Sequence, residues 1–404
     1  MTAVVAPNAD LTDDRLASRN ALVLAVAQAL AGSNTTVIVA IAGIAGVMLA
    51  PDAALATLPV TLMAIGMWIG TLPVGMLAKA YGRRPALQIG AACGALSGII
   101  SCAAMLRGSF ALLLLGTLCG GLYAAAHQSY RFAAADTASL QFRAKAVARV
   151  LTGGMFAAVI GPQIVILTKD IWPAYLFAAT FLAQSACAIV AGAVLGLLKL
   201  PPVVASPRSE GRPLTEIIGK SRFVVAVGCG VASYVVMNMM MTAAPLAMVA
   251  CQHSVGDAVL GIQWHVIGMY APSFFTGALI SRFGLRAIVA TGLALISAAA
   301  ALGALGTALW NFWAALALLG IGWNFAFVGA TTLVTECHRP HERNKVQAFN
   351  DFLIFGSMAV GSFSSGVLLA HYGWTAVNEV VFPVVVMAAL LLGWSTLARR
   401  PTPV

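Results

Sequence analysis

Charge is what this chain most lacks. Of its 404 residues only 9% are Asp, Glu, Lys or Arg, and 13 are acidic, where a soluble domain carries about 25% charged residues. A water-exposed surface cannot be built from that supply, which excludes a soluble enzyme. Histidine (6) and cysteine (7) are scarce as well. The cysteines, at 93, 102, 119, 187, 229, 251 and 337, fall mostly inside apolar stretches, where a free thiol behaves as a small hydrophobe, and no disulfide framework is predicted. Residues 1–20 contain Asp10, Asp13 and Asp14 but no short apolar run ending in a small-residue cleavage site. No signal peptide is therefore expected, and the first apolar segment should itself direct insertion. Also missing are a nucleophile–base pair, a nucleotide-binding glycine loop and a carboxylate metal cage, so the chain offers no recognisable catalytic constellation.

Apolar sequence is abundant. The hydrophobic fraction is 60% and the mean hydropathy +0.92, and segments of about 20 apolar residues, enough to cross a bilayer core of roughly 30 Å, follow one another with little between them. They fall near 20–48, 55–79, 85–106, 109–134, 145–168, 171–199, 221–250, 257–281, 285–307, 310–335, 346–370 and 373–397. The reading is an all-α membrane protein of about twelve spans.

The formal charge of +10 is a topology signal and not a nucleic-acid signature. Lys79, Arg83, Arg84, Arg143, Lys145, Arg149, Lys199, Arg208, Arg212, Lys220, Arg222, Arg282, Arg286, Arg339, Arg343 and Lys345 occupy alternate loops, with Arg15, Arg19, Arg399 and Arg400 at the two ends. The opposite loops hold Arg107 and Lys169. The positive-inside rule then places both termini in the cytoplasm.

A repeat organises the chain. GMLAKAYGRR from Gly75 to Arg84 returns as GALISRFGLR from Gly277 to Arg286, an offset of 202 residues that Trp172 and Trp374 share. Asp136 with Arg143 is echoed by Glu336 with Arg343 at an offset of 200. Two parallel six-helix halves follow, 1–199 and 221–404, joined by a Pro-, Ser- and charge-rich linker over 200–220 that is expected to be cytoplasmic and to end in a short surface helix.

The Gly75 and Gly277 stretches resemble the loop signature of the major facilitator superfamily, and the resemblance covers essentially the whole chain. It implies the major facilitator fold and a secondary transporter. The family signature has an acidic residue where this chain has Lys79 and Ser281. A gate on the cytoplasmic side would then pair Lys79 with Asp351 or Glu336, unless Lys79 simply snorkels to the headgroups.

Six of the fifteen methionines lie between 237 and 269, together with His265. Met237 and Met241 stand at i, i+4 on the seventh span, and His265 and Met269 at i, i+4 on the eighth, so each pair shares a helix face. Counting about 1.5 Å per residue from the outer ends sets Met241 opposite His265 and Met237 opposite Met269, near the midplane where carriers hold their substrates. Three thioethers and an imidazole form a soft, neutral donor set suited to monovalent copper, not to zinc, calcium or magnesium. Packing explains many methionines equally well, including Met63 and Met67 on the second span; a deep histidine needs a partner.

The two motifs together resemble those of the CcoA-type copper importers, a facilitator branch that also contains riboflavin carriers. The resemblance implies copper import across the bacterial inner membrane for cytochrome oxidase assembly, with Met237, Met241, His265 and Met269 holding copper as transported substrate. A cytoplasmic copper acceptor would be unknown. Cys229, Cys251 and His253 are candidate relay residues, and Cys337, His338 and His341 a candidate inner receiving point or a plain basic loop. Asn34, Thr35, Thr36, His127 and Asn324 line the cavity or hydrogen-bond between helices. Glu379, near the outer end of the twelfth span, is a candidate for proton exchange or, more simply, an interfacial carboxylate, and proton coupling finds no central carboxylate in the first half. Pro245, Gly268 and Pro272 would let the seventh and eighth spans flex. Two rival readings stand beside copper import: a carrier of riboflavin or another small organic solute, with His265 as a hydrogen-bond donor, and a copper-binding receptor or oxidase-assembly partner that transports nothing.

Overall fold

The computed structural model describes residues 14–136, 138–139, 141–200, 212–339 and 342–397. Asp10, Asp13, Arg208, His341, Arg399, Arg400 and most of the linker lie outside them. The described chain is helical: α1 (Asp14–Leu49), α2 (Leu58–Tyr81), α3 (Arg83–Arg107), α4 (Phe110–Gln128), α5 (Tyr130–Asp136), α6 (Arg143–Thr168) and α7 (Ala178–Leu195) form the first half. After α8 (Leu214–Ile218), the second half comprises α9 (Ser221–Ala250), α10 (Val255–Tyr270), α11 (Ser273–Phe283), α12 (Leu285–Ala304), α13 (Leu309–Thr335), α14 (Arg343–Glu379) and α15 (Val381–Leu397).

Ten stretches among the described residues are long and apolar enough to cross a membrane. Two features bring this to twelve crossings. The last stretch, Lys345–Trp394, bends at Gly373, where φ is 78°, and so covers the eleventh and twelfth spans. The eighth is divided between α10 and α11, because Pro272 has no N–H to donate to the turn before it. Ala271 and Pro272 keep right-handed helical angles, so α11 continues the course of α10. Pro245, by contrast, sits within an unbroken α9.

In hydrocarbon a freed carbonyl costs several kcal/mol, and a side chain answers the one beside this break. Asn324 of α13 donates through Nδ2 to Met269 O at 2.7 Å and to Ser273 Oγ at 2.6 Å, while its Oδ1 accepts from Thr276 Oγ1 at 2.7 Å. Asn324 is therefore a staple across the eighth span.

The repeat seen in the sequence is a repeat of packing. In the first half α1 packs on α6, α2 on α4 and α3 on α4; in the second, α9 packs on α14, α10 on α13 and α12 on α13. Gly82 and Gly284, the equivalent turn positions, have φ of 91° and 86°, a backbone that side-chain-bearing residues rarely adopt. α8 lays Ile217 against Phe223, Leu333 and Val346, so the described end of the linker belongs to the second half. Arg212 reinforces this, donating to both Glu342 carboxylate oxygens at 2.8 and 2.7 Å.

Candidate functional site

The halves meet through α2 with α14, α6 with α10 and α1 with α9. The contacts cluster away from the basic loops. Thr61 Oγ1 donates to Ser362 Oγ at 3.1 Å, Gln163 Nε2 donates to Gln263 Oε1 at 3.1 Å, and Leu246 lies against Gly43. Toward the basic side the picture changes. From Leu72 to Tyr81 no residue of α2 is buried, and in α11 only Thr276 is. The molecule is closed on the side opposite the basic loops and splayed on the basic side.

At the depth where the halves part, the second half holds a cluster of rings in its core: Tyr234, Trp323 and Phe355 are buried and Phe327 is half-buried. Tyr234 of α9 stands edge-on to Trp323 (5.4 Å between centroids) and to Phe327 (5.1 Å), and 6.2 Å from Phe355 of α14. Trp323 and Phe327 stack at 4.8 Å with 14° between their planes. Tyr234 lies 13 residues into α9, roughly 20 Å from its basic end by the helix rise and so near the midplane. Trp68 of α2 faces this cluster from the first half, 5.0 Å from Phe352, and the Tyr270 ring rests on Gly154 of α6.

Two opposite charges adjoin the cluster on its basic side. Arg131 of α5 lies within electrostatic reach of Asp351 of α14, and of Tyr234 and Tyr270. The candidate site is thus a largely buried cluster of rings near the midplane with one charge from each half on its basic side, and ring contacts of this kind suit a flat, conjugated solute.

The predicted metal quartet is buried. His265 has no exposed surface, Met237 1% and Met241 7%, while Met269 is half-buried, and the methionines belong to one continuous core. The His265 ring turns to α13: Nδ1 is 2.9 Å from Leu316 O, so Nδ1 carries the proton and donates, which leaves Nε2 an acceptor, buried without a partner. This carbonyl supplies the partner that a deep histidine requires. No cluster of three or more His, Cys, Asp or Glu occurs among the described residues.

The relay residues do not surround that quartet. Cys229 points its thiol at Ala388 O of α15 at 3.7 Å, Cys251 caps the end of α9, and His253 Nε2 is 2.8 Å from Thr307 O in the loops beyond. Lys79 is exposed, and the two acids suggested for it are engaged elsewhere: Glu336 pairs with Arg222, and Asp351 faces Arg131. Asn324 is the staple described above, Asn34 accepts from Gln184 at 3.0 Å, and His127 meets Thr35 at 3.2 Å. These three read as helix-to-helix fastenings.

Sequence reasoning passed over the ring cluster and Arg131. The signal for Arg131 was present: a basic residue within the predicted fourth span (109–134), where an ionisable group marks a functional position. The rings gave no comparable signal, because aromatic residues within spans are ordinary packing until several helices are seen to bring them together.

The profile described as Major Facilitator Superfamily matches residues 24–269 and again 226–404. The chain is 47% identical over 385 residues to the riboflavin transporter RfnT of Brucella anthropi, an alignment spanning 95% of this chain and 97% of that protein. It is 31% identical over 319 residues to YdeG of Bacillus subtilis, named as an uncharacterized MFS-type transporter, covering 75% of this chain and 74% of the other. Among solved structures, a mutant of the nucleoside transporter NupG superposes with a TM-score of 0.73 over 95% of this chain and all of that one, at 12% identity, a likeness of fold.

Proposed function

The chain belongs to the major facilitator superfamily, and on that footing we propose that it is a secondary carrier of riboflavin or a closely similar planar solute. The observation that carries this reading is the 47% identity, over nearly the full length of both chains, to a transporter named for riboflavin. The copper expected from the Met and His motifs accordingly gives way to the organic cargo. The ring cluster supplies the physical reason: stacked aromatic contacts reward a flat conjugated ligand and ask little of its exact edge.

Transport proceeds by alternating access. The state described here is open toward the basic loops, which on the positive-inside rule face the cytoplasm together with both termini, the membrane being the bacterial inner membrane. Rocking the halves parts contacts such as Thr61 with Ser362 and brings α2 and α11 toward each other below the solute.

The test is uptake by a riboflavin auxotroph. Cells expressing the chain should grow on, and accumulate, external riboflavin at concentrations that leave control cells starved. Membrane-inserted protein that gives no growth advantage and no uptake of labelled riboflavin would overturn the proposal.

Copper import remains the second reading, favoured by the buried and unpartnered His265 Nε2 among methionines. It requires metal bound to the purified chain and lost on His265→Ala, with Met237, Met241 and Met269 as the other ligands. Metal-free protein that still transports riboflavin would end it.

A further inference from the structure

On the membrane-facing surface of the second half a groove runs between α12 and α15. Its volume is about 570 Å³, within the range of about 300–1,000 Å³ that ligand clefts occupy. The buried side chains of Leu293, Val385 and Leu392 form its floor, and the exposed Ala290, Ala294 and Ala389 form its low walls. Ser297 closes one end, its hydroxyl already donating to Leu293 O at 3.2 Å. At the other end, toward the basic loops, stands Arg286 in the first turn of α12.

The first half fills the same place with protein. At the offset of 202 residues α12 and α15 answer to α3 and α7, which lie directly against each other. Ser185 Oγ donates to Ala95 O at 2.8 Å, Gln88 Nε2 donates to Gly192 O at 3.4 Å, and a Cβ on Gly98 would fall 2.4 Å from Phe181 O. The second half has Met387 in place of Ser185, Ala290 in place of Gln88 and Ala300 in place of Gly98. Its α12 is fastened at the outer end to the tail of α14, where Trp374 Nε1 donates to Gly303 O at 2.8 Å, and the groove lies on the basic side of that fastening.

Lining, length and charge select the occupant. Between its two ends the groove is hydrocarbon, where a polar solute would strand its hydrogen-bonding groups. Arg286 and Ser297 are 11 residues apart, roughly 16 Å by the helix rise, which is the depth of one leaflet in a hydrocarbon core of roughly 30 Å. At headgroup level the groove ends on the half-buried Arg286, and the exposed Trp394 follows Gly393 there, a residue type that settles at the membrane interface. Arg286 makes a contact within the protein, and the five donors of a guanidinium leave others for a phosphate. A zwitterionic headgroup brings its own cation beside Arg286, whereas phosphatidylglycerol brings none.

We propose that this groove is a binding site for an anionic phospholipid of the leaflet on the basic side, which on the positive-inside rule is the cytoplasmic one. One acyl chain lies between α12 and α15 on the floor of Leu293, Val385 and Leu392, and the phosphodiester rests on Arg286. The lipid takes the place of the direct contact that joins α3 to α7. Because α12 and α15 belong to one half, it stays seated while the halves rock, and its role is to hold the second half together whatever the cargo.

The experiment is native mass spectrometry of the full chain, delipidated in detergent and titrated with phosphatidylglycerol or phosphatidylcholine, with thermal melts of the same samples. The unaltered chain should hold a phosphatidylglycerol about tenfold more strongly than phosphatidylcholine, the scale of a hydrogen bond to a charged group, and that lipid should raise its melting temperature. Ala294→Phe, and Ala389→Phe from the opposite wall, fill the groove and should abolish the tight binding. Ile99→Phe, on the exposed side of α3, should leave it intact. Arg286→Gln should hold the two lipids equally. The proposal is overturned if the unaltered chain holds no lipid tightly, if both filled variants bind phosphatidylglycerol as the parent does, or if Ile99→Phe loses it to the same degree. Equal retention of the two lipids by the unaltered chain overturns the assignment of an anionic headgroup, even where a variant fails to fold.

Discussion

At the repeat offsets of 202 residues between α1 and α9 and 200 between α6 and α14, Tyr234 and Phe355 of the second half answer to Gly32 and Met155 of the first. The helices concerned are equivalent: α9 packs on α14 as α1 packs on α6. In the first half a Cβ on Gly32 would fall 2.7 Å from Ala157 Cβ, and one on Gly153 would collide with Ala25 O, so α1 and α6 touch almost backbone to backbone. In the second half the same helix pair carries rings with centroids 6.2 Å apart. One fold has thus been given two fillings. At these helices the first half is packed backbone to backbone, and the second is filled with rings. A transporter that rocks two similar bodies about a solute does not need both to recognise it, and here the rings lie on one side.

Exchanging the fillings should be most damaging where space is least. Gly32→Leu must force α1 from α6, and overpacking of this kind costs about 1–3 kcal/mol or more. The variant should lose most of its monodisperse peak in size-exclusion chromatography after mild heating. If it survives heating as the parent does, the first half is not packed as described.

Removing a ring from the second half should leave the fold and weaken the ligand. Phe327→Leu keeps an apolar side chain but gives up the stack on Trp323, and aromatic pairs contribute about 0.5–1.5 kcal/mol beyond their buried area. Riboflavin affinity should fall about three- to tenfold through the lost ring contact with the flavin, and thermal stability should fall less than in Gly32→Leu, the lost Trp323 stack being itself a contact of the fold. An unchanged affinity would remove the ring cluster from the site.

The asymmetry also explains what could be read in advance. Span number, halves and linker follow from hydropathy and the Gly75 and Gly277 stretches, because a membrane imposes length and sign of charge on every segment. The contents of the site do not follow in the same way. Met237, Met241, His265 and Met269 form a pattern along the chain, and the pattern drew attention, whereas Tyr234, Trp323, Phe327 and Phe355 come from three helices, and the i, i+4 spacing of Trp323 and Phe327 is ordinary for two aromatic residues within a span. His265 shows the difference: its depth correctly demanded a partner, yet the partner is the Leu316 carbonyl, and a main-chain acceptor leaves no mark in sequence.

On the basic face the comparison turns on Glu342, which ties the linker to the second half and has no counterpart contact described in the first. Hydrogen bonds from the Arg212 side chain, then from Arg339 N, hold its carboxyl well below the usual carboxylate range. A lowered folded-state value means that its stabilisation is complete above the ordinary value of 4.5 and is lost as pH falls through the lowered one. Thermal melts should therefore show no contribution from Glu342 to any change between about pH 6 and 8. Glu342→Gln should lower the melting temperature by a few degrees there and flatten the acid-side decline. A variant whose melts match the parent at every pH would show that the linker anchor adds nothing.

The smallest effect is expected where the two halves solve one problem with different partners. Asp136 pairs with Arg83 in the first half, but the position equivalent to Arg83 is Leu285, and Glu336 pairs with Arg222 at the start of α9 instead. Both pairs are partly exposed, with side-chain accessibilities between 31% and 51%, and exposed ion pairs contribute about 0–1 kcal/mol. Arg83→Leu, which copies the second half into the first, should therefore change melting temperature by no more than a degree or two, and less at high salt, where screening shortens the reach of the charge. Uptake is the more sensitive readout. The Arg83 pair clasps the loop after α2 to the end of α5, one turn beyond Arg131, so loosening it should slow transport while leaving binding intact. Arg222→Leu, which frees Glu336 at the end of α13 in the other half, should not. Equal slowing by both variants would mean that the two clasps serve the same purpose and that the charge asymmetry of the halves has no part in the transport cycle.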